Sequence, residues 1–332
     1  MAKEYRITPD SVTPPEVIPL RADMLSDKLD VNNAPTVAEG HKAGFVNIVG
    51  NPNVGKSTLM NRLVGERISI ITSKAQTTRH RINGIVNTPS YQIVFSDTPG
   101  VLKPKYKLQE SMLEFSEGAL TDADILLYVT DVVEDPLKNK GFLDKVANEK
   151  VPVLLVINKI DLLSGNKALE DIVESWHTLL PAAEIFPVSA LEDFNVENLR
   201  KRIVELLPFS PPFFGKDALT DKPARFFVTE IIREKILLNY DKEIPYSAEV
   251  IVEKFEEKEH SIHIMTVVYV ERDSQKAILI GKGGEKIKHI GIEARKDIEQ
   301  FFGKKVFLEI FVKVEKDWRN RENKLRAFGY IE

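Results

Sequence analysis

Gly50-Asn51-Pro52-Asn53-Val54-Gly55-Lys56-Ser57 decides how the N-terminal half of this chain is read. The octet fits G-x-x-x-x-G-K-[ST] and follows the apolar run Phe45 to Val49. That order predicts a buried strand, a glycine-bounded loop and a helix from Ser57 to Val64. Glycines at 50 and 55 let the backbone fold tightly around an anion with its N–H groups turned inward. The start of the following helix adds partial positive charge. In such a loop Lys56 reaches the β- and γ-phosphates of a nucleotide and the Ser57 hydroxyl ligates Mg²⁺. All eight residues are therefore candidate nucleotide contacts, with Lys56 a candidate catalytic group.

Three further motifs follow in order. Asp97-Thr98-Pro99-Gly100 fits D-x-x-G and closes the run Ile93-Val94-Phe95-Ser96. A carboxylate there holds Mg²⁺ through water, and the Gly100 N–H donates to a γ-phosphate. That contact exists only with the triphosphate, so the loop orders and releases with hydrolysis. The alternative is a strand ending in a tight Asp-Thr-Pro-Gly turn. Asn158-Lys159-Ile160-Asp161 fits N-K-x-D behind the apolar run Val153 to Ile157, which reads as a buried parallel strand. A carboxylate at Asp161 accepts hydrogen bonds from guanine N1–H and the 2-amino group. Adenine offers neither, and a polar site rejects an analogue that leaves it unpaired. The Lys159 stem covers one face of the base. Ser189 and the Ala190 N–H, behind Phe186-Pro187-Val188, complete the base pocket. Between the first two motifs lies Gln76-Thr77-Thr78-Arg79-His80-Arg81. Thr78 is read as a second hydroxyl ligand to Mg²⁺, with Thr77 as the alternative. Together the four motifs point to a guanine-nucleotide switch on an α/β P-loop domain with a mostly parallel sheet.

The rest of the chain separates by composition. With 332 residues it is long enough for two domains. Hydrophobic residues at 43% and charged residues at 29% are ordinary globular usage. The absence of cysteine excludes disulfides and thiolate metal sites. No run approaches the roughly 18 apolar residues of a membrane span, and no signal peptide is recognisable. Residues 1–41 are Pro-rich and acidic and are expected to be a disordered leader. Residues 42–207 alternate strand-like and helix-like stretches and form the nucleotide domain. Leu207-Pro208-Phe209-Ser210-Pro211-Pro212-Phe213 opens a semi-rigid linker over 208–216. Residues 217–332 form a second domain.

In that second domain Ala224 to Tyr240 reads as a helix. Ser247 to Phe255 and Ile262 to Val270 read as strands, joined by a charged turn over Lys254 to His260. Ile287, Ile290, Ala294, Ile298 and Phe301 then fall at helical spacing, and Val306 to Val314 alternates strictly. The loop Gly281-Lys282-Gly283-Gly284 sits between the two helical stretches. This is the pattern of an α+β type II KH domain, whose G-x-x-G loop clamps about four nucleotides. Over residues 276–332 there are 14 Lys/Arg against 9 Asp/Glu, a local charge of +5 beside −4 for the whole chain. Gly281, Lys282, Gly283, Gly284, Lys286 and Lys288 are the candidate RNA contacts; the alternative for the loop is a helix-linking turn. Trp318 either stacks on a base or packs in the core, and core packing is preferred. Trp176 is assigned to packing. The six histidines are scattered, and none is assigned to metal.

A G domain with Gly-Asn-Pro-Asn-Val-Gly-Lys-Ser and Gln-Thr-Thr-Arg-His-Arg, joined to a KH domain, resembles the bacterial Era GTPases of the TrmE/Era/EngA type. Gly291-Ile292-Glu293-Ala294-Arg295-Lys296-Asp297 is also similar to that family. The resemblance covers about 42 to 332. It implies GTP hydrolysis coupled to 16S rRNA processing and 30S subunit biogenesis, with a role in cell-cycle regulation. The KH domain would grip single-stranded RNA near the rRNA 3′ end. It further implies a cytoplasmic monomer, partly peripheral at the inner face of the cell membrane. Pro99 stands where Ras-like switches carry the glutamine that orients water, so unaided hydrolysis should be slow. In related GTPases an asparagine at the position of Asn53 holds K⁺ beside the phosphates. The resemblance implies that catalytic role for Asn53; its alternative is a polar residue stabilising the turn. A different class of function stays open: an RNA chaperone or assembly scaffold in which hydrolysis only resets binding.

Overall fold

The computed structural model describes residues 40–331, so the expected leader lies outside the described residues except for Gly40 and His41. The chain divides into two compact units at Lys222/Pro223.

In the first unit the apolar runs become buried strands: β1 (Lys42–Gly50), β2 (Ile82–Asn87), β3 (Tyr91–Asp97), β4 (Ile125–Asp131), β5 (Val153–Asn158) and β6 (Glu184–Pro187). They pair in the order β2-β3-β1-β4-β5-β6. Only β2/β3 is antiparallel. The helices are α1 (Lys56–Val64), α2 (Lys107–Thr121), α3 (Lys140–Ala147), α4 (Asn166–Leu179) and α5 (Val196–Leu206). Every residue of β4 is buried, as in a strand with both faces covered. Trp176 of α4 packs against Tyr128 of β4, in line with its expected packing role. Because β1 lies between β3 and β4, the chain leaves the sheet in opposite directions from neighbouring strands. Loops at the carboxyl ends of the parallel strands therefore line a crevice, the usual ligand position in such sheets.

The Pro-rich stretch expected as a semi-rigid linker is part of this unit. Phe213 N–H and Phe214 N–H donate to Gln92 Oε1, and Asn87 Nδ2 donates to the Ala218 carbonyl at 2.8 Å. Ile85 N–H donates to the Leu219 carbonyl at 2.8 Å, and Asn83 N–H to Asp221 Oδ1 at 3.1 Å. Residues 208–222 thus run as a strap over edge strand β2, whose outward N–H groups need acceptors. The boundary expected at 216/217 moves to 222/223 for that reason. His41, read as the end of the leader, is buried beneath the strap, with Nδ1 2.8 Å from the Ser210 carbonyl.

The second unit holds α6 (Ala224–Asn239), a short α7 (Ile244–Ser247), β7 (Glu249–Glu257), β8 (Ser261–Val270), α8 (Asp273–Ile280), α9 (Glu285–Phe302), β9 (Lys305–Val314) and α10 (Glu322–Ala327). Its sheet runs β7-β8-β9, antiparallel then parallel. The helical spacing read in the sequence is what the core uses: Ile290, Ala294 and Ile298 of α9 pack with Val228, Ile232 and Ile236 of α6. The turn expected over 254–260 is shorter, because β7 continues past a bulge to Glu257. Trp318 is fully buried, and its indole N–H donates to the Ser247 carbonyl at 2.9 Å. That removes it as a base-stacking platform and leaves the core role.

Candidate guanine-nucleotide site and RNA-binding loop

The first strand ends at Gly50, and the loop turns back into α1 at Lys56. Gly55 has φ +94°, and a Cβ placed there would stand 2.2 Å from Asn158 Nδ2. Only glycine satisfies both conditions. Lys56 Nζ lies in the loop it serves, donating to the Gly50 carbonyl at 3.0 Å and the Asn51 carbonyl at 2.8 Å. Burial pulls the Lys56 ammonium down to about 8, against the raising charges of Asp97 and Glu134. Nucleotide phosphates in this loop favour the charged form and hold the proton on.

Ser57, Thr78 and Asp97 converge from three separate segments. Ser57 Oγ donates to Asp97 Oδ2 at 2.6 Å and stands 2.9 Å from Thr78 Oγ1. Thr78 Oγ1 donates to the same carboxylate oxygen at 3.3 Å. Thr77 is turned elsewhere, donating to the Lys74 carbonyl and meeting Thr72 Oγ1 at 2.6 Å. Of the two threonines, Thr78 is the one placed beside Ser57 and Asp97. Burial pushes the Asp97 carboxyl up, while the Ser57 hydrogen bond and the Lys56 charge oppose it. Among the described residues, none gives the buried Asp97 Oδ1 a hydrogen bond. An orphaned carboxylate oxygen beside two hydroxyls is an all-oxygen set, and it fits Mg²⁺. Ser57, Thr78 and Asp97 would hold such an ion, which would supply positive charge against the nucleotide phosphates.

The base end is equally specific. Asn158 Nδ2 donates to the Val54 carbonyl at 2.9 Å, and Asn158 Oδ1 accepts from Ala190 N–H at 2.9 Å. One buried amide thus ties the phosphate loop to the base loop. Ser189 Oγ donates to Asp161 Oδ1 at 2.5 Å, which orients the carboxylate. Lys159, at φ +62°, donates to the Asn53 carbonyl and to Asp131 Oδ2, both at 2.6 Å. Asp131 was not singled out in the sequence. The signal was there: it closes the apolar run of β4 as Asp97 closes β3. Asn53 itself is exposed at φ +67°. Pro52, Asn53, Lys56, Ser57, Thr78, Gly100 and Lys159 line a single cleft of about 380 Å³.

The D-x-x-G segment is held by its own hydroxyls and neighbours. Thr98 Oγ1 donates to the Ile48 carbonyl and Ser116 Oγ to the Pro99 carbonyl, each at 2.8 Å. Pro99 offers no side-chain group to orient water.

In the second unit the Gly281–Gly284 loop joins α8 to α9 and closes with Gly284 N–H donating to the Gly281 carbonyl at 3.2 Å. Lys282 and Gly283 are exposed. Lys286 Nζ sits 5.6 Å above the Tyr240 ring, which is fixed by its hydroxyl donating to the Leu279 carbonyl. Lys288 lies further along α9, half-buried. Cations nearer the C-terminus are paired internally: Arg321 and Lys324 both meet Glu315, and Arg319 meets Glu271.

Fold and site together define a P-loop guanine-nucleotide-binding protein with a C-terminal KH unit. The family described as 50S ribosome-binding GTPase matches residues 45–159, and the KH domain family matches residues 243–319. Among solved structures, a point variant of Aquifex aeolicus Era bound to GDP·AlF4⁻ is 39% identical with a TM-score of 0.84. The match covers 88% of this chain and 100% of that one. An Era structure in complex with MgGDPNP and nucleotides 1506–1542 of 16S ribosomal RNA matches with the same identity, coverage and score. The chain belongs to the Era family of GTPases.

Proposed function

We propose that this chain couples GTP hydrolysis to binding of 16S rRNA near its 3′ end, in support of rRNA processing and 30S subunit assembly in the cytoplasm. The observation that carries the reading is that one chain pairs the converged Ser57, Thr78 and Asp97 and the Ser189-held Asp161 with an exposed Gly-Lys-Gly-Gly loop. The likeness to Era solved on nucleotides 1506–1542 of 16S rRNA supports the choice of RNA. Crosslinking the protein to RNA in cells and sequencing the fragments tests it. One peak at the 16S rRNA 3′ end is expected; fragments scattered over unrelated RNAs would refute it.

Hydrolysis itself is proposed to use K⁺ held with the help of Asn53. Pro99 cannot position water, so the transition-state charge needs another source. Asn53 stands exposed at the mouth of the phosphate loop, its backbone fixed by Lys159. The rate is expected to be low in Na⁺ buffer and higher in K⁺ buffer. Asn53→Ala should abolish the difference while sparing GDP affinity. Equal rates of the parent protein in the two salts would exclude the K⁺ role.

A further inference from the structure

We infer that Asn139 is a positioning residue for GTP hydrolysis, clamping the segment after D-x-x-G to the phosphate loop. Its Nδ2 donates to two acceptors at once: Asn51 Oδ1 in the phosphate loop and the Val101 carbonyl, at 3.0 Å, just after Gly100. Val101 N–H donates in turn to the Gly50 carbonyl at 3.1 Å. Gly50, Asn51, Asn139 and Val101 therefore form a closed ring. Gly100, whose N–H faces the γ-phosphate in this class of switch, lies beside the stretch that ring holds, against Pro52.

Two features separate this role from ordinary local structure. Asn139 is the N-cap residue of α3, where an asparagine side chain usually accepts a hydrogen bond from the first turn. Here it makes no such bond. The side chain is spent on the two loops instead, while its carbonyl accepts from Phe142 and Leu143 N–H. The ring is also buttressed from below. Glu134, which accepts from Thr130 Oγ1 at 3.0 Å, lies close enough to Asn51 for that amide to favour its ionised form. With no side chain at Pro99 to place water, rate depends on how well the backbone over 98–101 is set. Thr98 and Ser116 fix its first half, and Asn139 fixes its second.

The test compares Asn139→Ala and Asn139→Asp in single-turnover GTP hydrolysis, with GDP affinity measured alongside. Aspartate caps a helix as well as asparagine does but cannot donate to Val101. A clamp predicts that both variants lose about tenfold in rate, with GDP affinity and KM within about twofold of the parent, since two hydrogen bonds of ordinary worth are removed. Asn139→Gln, which keeps the donor, should recover part of the loss. A merely structural cap predicts the opposite order: Asn139→Asp would hydrolyse GTP like the parent. That result, or an unchanged rate in Asn139→Ala, would overturn the assignment. Melting temperatures of the three variants separate loss of fold from loss of positioning.

Discussion

Asp161→Asn is expected to lose GTP and gain xanthosine triphosphate. In the folded protein one oxygen of Asp161 is already held by Ser189 Oγ at 2.5 Å, so the carboxylate cannot turn away from the base. Guanine offers it two donors, N1–H and the 2-amino group. An amide at the same place meets the 2-amino group with a donor of its own. Xanthine carries a 2-oxo group there, which the amide donor suits. Breaking a hydrogen-bonded charge contact of this kind costs about 2–5 kcal/mol of binding. The Asn158 bridge between Val54 and Ala190 does not involve Asp161, so the pocket should keep its shape. Titration with fluorescent GTP and xanthosine triphosphate measures both sides of the exchange. A variant that still binds GTP like the parent would show that Asp161 does not read the base.

Gly283→Asp should abolish RNA binding and leave GTP hydrolysis intact. Gly283 has φ +63°, and a Cβ built on it meets nothing within 4 Å. Aspartate is among the few residues that tolerate such a backbone, so the loop should survive the change. The new carboxylate would stand where a phosphate must approach. Lys282→Ala should be milder, removing about one phosphate contact and so flattening the log–log salt dependence by ~0.7 for a single strand. Both variants can be titrated with an oligonucleotide copying the 16S rRNA 3′ end at several salt concentrations. Parental affinity in Gly283→Asp would mean that the RNA surface lies elsewhere. The Arg319–Lys324 stretch would be a poor substitute, since its cations are paired with Glu271 and Glu315.

The nucleotide site was legible because its chemistry is local. Each motif sits on the few residues that follow a buried strand, and each demands particular side chains there. Little in the sequence separated Thr78 from Thr77, because adjacent threonines differ only in which one the loop turns toward Asp97. Trp318 kept an alternative for a similar reason: an indole suits a base as well as a core until its surroundings are known. Of the strap over 208–222, residues 208–216 were read as a spacer and 217–222 as the start of the second unit. Proline and phenylalanine there signal stiffness, whereas its carbonyls and N–H groups, which pair with Gln92, Asn87 and Ile85, have no compositional signature. Asn139 was invisible because a single asparagine before a helix reads as a cap.

By itself the amino-acid sequence determined the class of the two units, the order of their elements and the candidate groups for phosphate, Mg²⁺, guanine and RNA. Periodicity and motif spacing are properties of neighbours in the chain, and they carry that much. The tertiary structure alone decided which of those groups act together. Ser57, Thr78 and Asp97 are brought within 3.3 Å of one another from α1, the loop before β2 and the end of β3. Asn158 and Asn139 each join loops that are far apart in sequence. Such contacts depend on strand order and on where a side-chain amide points, and neither is encoded in any short stretch of residues.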